Sequence, residues 1–169
     1  LASLSVALAE VLEQEVNHIT LEGHGRENID PTIDVSQTIG WFTSMYPVRL
    51  VRAQTTEQTI IQTKEMLRRI PQKGLGYSVL AHAGELSANL PDISFNYLGQ
   101  LSSDAGAPWQ VSGIDVGQTV AEENSRNLLL DLNGAVQNGQ LQFQIDSRLS
   151  QERFQRFLNQ FETSLTTLT

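Results

Sequence analysis

The chain has 169 residues, 40% of them hydrophobic, with a formal net charge of −8 and a pI near 4.8. This supports one hydrophobic core and excludes a disordered chain, while the acidity excludes the basic footprint of a nucleic-acid-binding surface. No apolar run approaches the ~20 residues of a membrane span, and the absence of cysteine excludes disulfides and thiolate metal sites, in keeping with a reducing, cytoplasmic setting.

Leu1, Leu4, Leu8, Val11 and Leu12 recur at helical spacing, with Glu10, Glu13 and Glu15 on other faces. The chain opens inside this pattern without a Met, which reads as part of something longer. Val16 to Glu22 reads as a strand, with Asn17, Ile19 and Leu21 on one face and Val16, His18, Thr20 and Glu22 on the other. Ile19 and Leu21 should turn to the core, so Glu22 should project to the polar side, where a strand-end carboxylate can line a cleft. Gly23 to Ser36 reads as a loop, and the glycines on either side of His24 suggest a sharp turn or a close approach of other backbone.

Trp41 and Phe42 precede a second strand expected over Pro47 to Arg52, and Trp41, Phe42 and Tyr46 are expected to serve packing. Thr55 and Gln58 have the capping-box spacing of a helix beginning near Thr56, with Ile60, Thr63, Leu67 and Ile70 on one face and a stop at Pro71. A glycine-rich turn at Gly74 and Gly76 leads to a short helix over Tyr77 to Ala83, then a strand over Ile93 to Leu98. Residues 100–127 show no periodicity. Leu128 to Gln137 and Gln140 to Arg148 form a hairpin pattern around Asn138-Gly139, which suits a type I′ turn. Ser150 can cap a last helix with an apolar stripe of Phe154, Phe157, Leu158, Phe161 and Leu165. The simplest architecture is an α/β arrangement of the α+β type, a two-layer sandwich of mixed sheet with helices on one side.

Four segments, in order, resemble the signature motifs of epimerization domains of nonribosomal peptide synthetases. They are Glu22-Gly23-His24-Gly25-Arg26-Glu27, the run from Gln37 to Pro47 (QTIGWFTSMYP), Pro71-Gln72-Lys73-Gly74-Leu75-Gly76-Tyr77, and Phe95-Asn96-Tyr97-Leu98-Gly99. The resemblance implies a fold like that of chloramphenicol acetyltransferase, with two lobes and a tunnel between them. It also implies inversion at Cα (L to D) of an aminoacyl or peptidyl thioester, carried on the 4′-phosphopantetheine of an upstream carrier protein. No cofactor is then bound by the chain itself. The family's His-His-x-x-x-Asp-Gly motif is missing from the sequence, whose histidines are His18, His24 and His82. Residues 1–169 are therefore expected to form a single unit, the C-terminal lobe, inactive by itself and partnered by an N-terminal lobe. Ser78 is a smaller departure, standing where a glycine often follows the Gly-x-Gly-Tyr run.

Inversion at Cα needs a proton removed from one face and another returned to the opposite face, which two general acid/base groups supply. The resemblance gives one of these roles to Glu22, whose basicity burial would raise; by composition alone Glu22 would be a surface carboxylate. His24 is expected to fix its loop rather than shuttle protons. Arg26 is expected to pair with Glu27 or another acid, since pairing with Glu22 would oppose base function. Tyr77 and Asn96 either donate hydrogen bonds to the enolate oxygen or substrate, or serve as a loop anchor and ordinary strand polarity. Arg68, Arg69 and Lys73 are candidates for pantetheine-phosphate or carrier contacts, against solvated helix-end charge. No ligand spacing for a metal is present. The competing readings are a condensation-type domain that forms amide bonds and a non-catalytic lobe that docks a carrier protein.

Overall fold

The computed structural model describes residues 1–101, 114, 117, 121, 124, 127–137 and 139–168. Helix α1 (Ala2–Leu12) is followed by antiparallel strands β1 (Val16–Gly23) and β2 (Ser44–Val51). Helix α2 (Thr56–Arg69), a 3-10 turn (Pro71–Gly74) and helix α3 (Tyr77–His82) lead to β3 (Ile93–Leu101). The hairpin β4 (Leu130–Gln137) and β5 (Gln140–Ser147) then precedes helix α4 (Gln151–Leu168). The five strands form one mixed sheet in the order β2-β1-β3-β4-β5, with β3 parallel to both β1 and β4.

Strand parity creates the two faces. Ile19 pairs with Val48, Leu21 with both Tyr46 and Phe95, and Phe95 with Leu132 opposite Ile145, so one row of apolar side chains crosses the sheet. Leu4, Leu8 and Val11 of α1 and Phe157 and Phe161 of α4 cover that face, joined by the half-buried Met66, Leu67 and Ile70 of α2. Asn17 lies among these apolar residues. Gln14 satisfies its amide, accepting from it through the main-chain carbonyl and donating to it through the side chain, both at 2.9 Å.

Several boundaries and faces differ from expectation. β2 starts at Ser44, three residues before Pro47; a proline fits inside this strand because β2 is an edge and its outer side forms no ladder. Ile60 is exposed, and α2 buries Thr59 together with the expected Thr63. Thr59 is satisfied there, its hydroxyl donating to the Thr55 carbonyl and accepting from Ala53 N–H. Thr20 is buried on the polar side because the chain entering β3 crosses over it, and its hydroxyl donates to the Pro91 carbonyl at 2.8 Å. Thr55 caps α2 by accepting from Gln58 N–H, as its spacing predicts. Gly139 has the positive φ of a tight hairpin turn, whereas Asn138 and most of the long aperiodic stretch lie outside the described residues.

Candidate active site

Glu22 sits near the end of β1. Because Leu21 pairs with Phe95 on the apolar face, the next residues, Glu22 and Asn96, both turn to the polar face. Asp131 belongs to the same face, since it pairs with Ser94, which in turn pairs with Thr20. Glu22 is half-buried and, among the described residues, makes no hydrogen bond or ion pair. Burial pushes its carboxyl pKa up, and the negative charge of Asp131 adds to the rise. A carboxylate that is partly desolvated and unpaired is held ready to accept a proton. Asp131 escaped the sequence reading, although the alternation of Leu130-Asp131-Leu132-Asn133 already sets it on the wet side of the hairpin.

The loop beyond Glu22 is pinned from several sides. Gly25 has φ +64, and a Cβ there would stand 1.5 Å from the Phe42 carbonyl oxygen, so only glycine fits. His24 Nδ1 accepts from Arg26 N–H at 3.0 Å, which leaves the ring proton on Nε2, directed at Glu27 Oε1 at 3.0 Å. Both of these His24 contacts lie within its own loop. Among the described residues Arg26 has no acid partner. Its guanidinium donates to the carbonyls of Val35 at 2.6 Å and of Thr38 and Gly40 at 2.9 Å, and lies 4.2 Å from the Phe42 ring centre. Planar, forked donors can serve three carbonyls at once, and such a site demands Arg rather than Lys. Glu27 instead bridges His24 and Lys73, with Lys73 Nζ at 3.0 Å.

Further contacts join three of the four sequence segments. Gly23 lies against Ser44, Tyr46 and the Lys73 carbonyl, and Gly74 leaves room for the Tyr46 ring, which a Cβ would meet at 2.1 Å. The first three segments therefore interlock around Tyr46. Its hydroxyl pKa is raised by burial and by the nearby Glu27 charge. The fourth segment is β3 itself. Its Gly99, at φ +84, lies where the β3–β4 register shifts between Tyr97 and Gln100.

Other candidates are placed differently. The Tyr77 hydroxyl donates to the Ser87 carbonyl at 2.5 Å and the ring packs on the core. Arg68 pairs with Glu65 at 2.7 Å and Lys73 with Glu27, while Arg69 has no ion-pair partner among the described residues. Trp41 does not pack; it is 94% exposed. Cavities of 980 Å³, between β2 and α2, and of 660 Å³, near Pro91, are not lined by Glu22. Among the described residues of this polar face, Glu22, Asn96 and Asp131 are partly exposed. Among the described residues no cluster of potential metal ligands occurs and no helix is long and apolar enough to cross a membrane.

A condensation-domain family profile matches residues 1–169. The chain belongs to the condensation-domain family. Its relatives include surfactin synthase subunit 2 of Bacillus subtilis, 37% identical over 161 residues, which are 92% of this chain and 4% of that protein. Tyrocidine synthase 2 of Brevibacillus parabrevis is 41% identical over 163 residues, 90% of this chain and 4% of that protein. This condensation-family chain thus spans a small fraction of the synthetases it matches. Among solved structures, the epimerization domain from the third module of tyrocidine synthetase B superposes with a TM-score of 0.87 at 36% identity. That match covers 99% of this chain and 40% of the other. The starter condensation domain of rhizomide synthetase, at 11% identity and a TM-score of 0.61, shares the fold. The fold of this condensation-family chain is accordingly chloramphenicol acetyltransferase-like, a mixed sheet with its helices on one side.

Proposed function

We propose that the chain is the C-terminal lobe of an epimerization domain, inverting Cα of an aminoacyl or peptidyl thioester borne on the phosphopantetheine of a carrier protein. The observation that carries this reading is Glu22: a half-buried carboxylate with a raised pKa, on the polar face of the sheet and without a hydrogen-bond or ion-pair partner among the described residues. The likeness to a tyrocidine synthetase epimerization domain supports it.

In the proposed reaction the Glu22 carboxylate takes the Cα proton, and the electron pair of the C–H bond passes into the thioester carbonyl as an enolate. A group of the N-terminal lobe returns a proton to the opposite face, and the reverse traffic restores the starting epimer. A raised pKa suits both directions, because a carboxyl that is too acidic cannot hold the proton it has removed. Asn96, on the same face as Glu22, is assigned a hydrogen bond to the enolate oxygen or to the substrate. The Tyr77 hydroxyl, engaged with Ser87, is assigned to holding the turn rather than to the enolate. Arg69, which among the described residues has no carboxylate partner while Arg68 and Lys73 do, is assigned to a pantetheine phosphate or carrier surface.

The test unites the chain with its N-terminal lobe and a loaded carrier protein and follows solvent deuterium entering Cα, with chiral analysis of the released amino acid. Wild type should exchange, and Glu22→Gln should lower exchange by about 100-fold or more with the fold retained. Wild-type rates in that variant would remove Glu22 from the mechanism. A domain that exchanges no Cα proton but joins two substrates would be the condensation-type alternative.

A further inference from the structure

Among the described strands β2 stands at the edge of the sheet, with β1 as its one neighbour. The register fixes which of its main-chain groups look outward. Arg52 N–H donates to the Glu15 carbonyl at 2.9 Å, and the ladder continues from there with Val51 opposite Val16. In an antiparallel pair alternate residues bond to the partner strand. Leu50, Val48 and Tyr46 therefore bond to β1, while Arg49 and Val51 turn both N–H and C=O away from it. Pro47, which has no N–H, turns only a carbonyl outward. Among the described residues the outward groups of Arg49 and Val51 meet no hydrogen-bond partner. Pro47, Arg49 and Val51 all line the 980 Å³ cavity. Its other wall is apolar, built by Ile61 and Met66 of α2, Ile70 after it, Tyr77 and Leu80 of α3, and Leu86. Ile61, Leu80 and Leu86 are exposed, and sharing one cavity makes a single surface of them.

We propose that this groove binds an extended polypeptide segment that adds to β2 as a further strand, its alternate side chains apolar and the others acidic. A row of free N–H and C=O groups at strand spacing is matched by another extended main chain. An added strand alternates its side chains between the two faces of the sheet. One set lies beneath α2 and α3, on the apolar wall. The other lies on the side of Arg49, whose guanidinium has no ion-pair partner among the described residues. A second copy of this chain is a poor occupant. Arg49 is the one charged residue of β2, so pairing β2 with another β2 brings no carboxylate to it. A proline and a charge on an edge strand also guard it against indiscriminate pairing. A guard alone calls for no apolar groove beside it, and Pro47 withholds one donor while leaving those of Arg49 and Val51. Glu22 does not line the groove, so the inference stands apart from proton transfer and from the epimerase reading.

Amide hydrogen exchange followed by NMR on residues 1–169 tests this, with an end-capped peptide of about seven residues alternating valine and glutamate as the probe. In the chain alone the Arg49 and Val51 amides should exchange freely while those of Val48 and Leu50 are protected. Saturating peptide should slow exchange at Arg49 and Val51 about tenfold or more. Two versions of the peptide, N-methylated at the valine amides or at the glutamate amides, should differ. The one methylated on the side facing β2 should bind about tenfold more weakly, and the other should bind as the parent does. A valine–lysine peptide should also bind about tenfold more weakly, and Arg49→Glu, which should leave the melting temperature unchanged, should reverse that order. Absence of binding at millimolar peptide, or equal binding of the two methylated versions, would overturn the proposal. So would a bound peptide that leaves the Arg49 and Val51 amides exchanging freely, which would make the groove a pocket for apolar side chains alone. Protection of those amides in the chain alone would overturn it too, with a second copy as the occupant if the protection grows with concentration.

Discussion

At the scale of single residues, Glu22 shows how position creates chemistry. Period-2 alternation turns it to the polar face, and the neighbouring strands leave it half-buried beside Asp131, with no cation paired to it among the described residues. Its charged form is therefore disfavoured by folding. Because its pKa is raised over the unfolded value, its contribution to stability is complete below the ordinary carboxylate range and is lost as pH rises through the raised pKa. Glu22→Gln should thus be more stable than wild type near pH 7, with the gap closing near pH 4. Urea melts of both proteins at the two pH values check this, and an unchanging gap would argue against the strained carboxylate. The polar side of Glu22 was legible from alternation alone. The partners of Arg26 were not, because its carbonyl acceptors belong to a loop whose path no local pattern encodes.

At the scale of elements, α1 is buried almost all round. Ser3, Ser5, Ala7 and Ala9 are covered together with the leucines, since α4 and the sheet hold it from different sides. The Ser5 hydroxyl has no partner among the described residues. Removing an unsatisfied buried hydroxyl and gaining helix propensity should make Ser5→Ala more stable by about 1 kcal/mol. Thermal melting should rise by about 2–4 °C, and a fall would show that the hydroxyl has a partner. The spacing of the leucines predicted this helix but only one buried stripe. Serine and alanine at the remaining positions leave that question to the packing. α2 illustrates the opposite failure, for Ile60 fits the apolar register and yet faces water, while Thr59 turns inward beside Thr63.

At the scale of the whole molecule, an aromatic chain fastens the sheet to α4. Phe95 and Phe143 have ring centres 6.0 Å apart, Phe143 meets Phe161 edge-on at 5.2 Å, and Phe161 stacks on Phe157 at 5.7 Å. Gly134 makes room for it, because a Cβ there would come 2.3 Å from the Phe143 ring. Phe157 is fully buried, so Phe157→Ala should cost about 3–5 kcal/mol and broaden or abolish cooperative melting. A loss below about 1 kcal/mol would mean that α4 is not fastened through this ring. The apolar stripe of α4 was readable as a stripe. Its contact with a hairpin on the far edge of the sheet was not.

What the amino-acid sequence determined by itself was local: the amphipathic helices, the Thr55 cap, the strand-end carboxylate on the polar side, the hairpin pattern around Gly139. Each depends on spacings of a few residues, which the geometry of helix and strand converts directly into faces and ends. The tertiary structure alone decided that β3 runs parallel between β1 and β4, that Thr20 is covered by Pro91, that Glu22 shares a face with Asp131, and that Trp41 stands in water. Those pairings join residues far apart in the chain, and no periodicity specifies which distant strand a given strand will choose. That choice is made by burying the whole apolar face at once, a property of the assembled sheet and not of any segment within it.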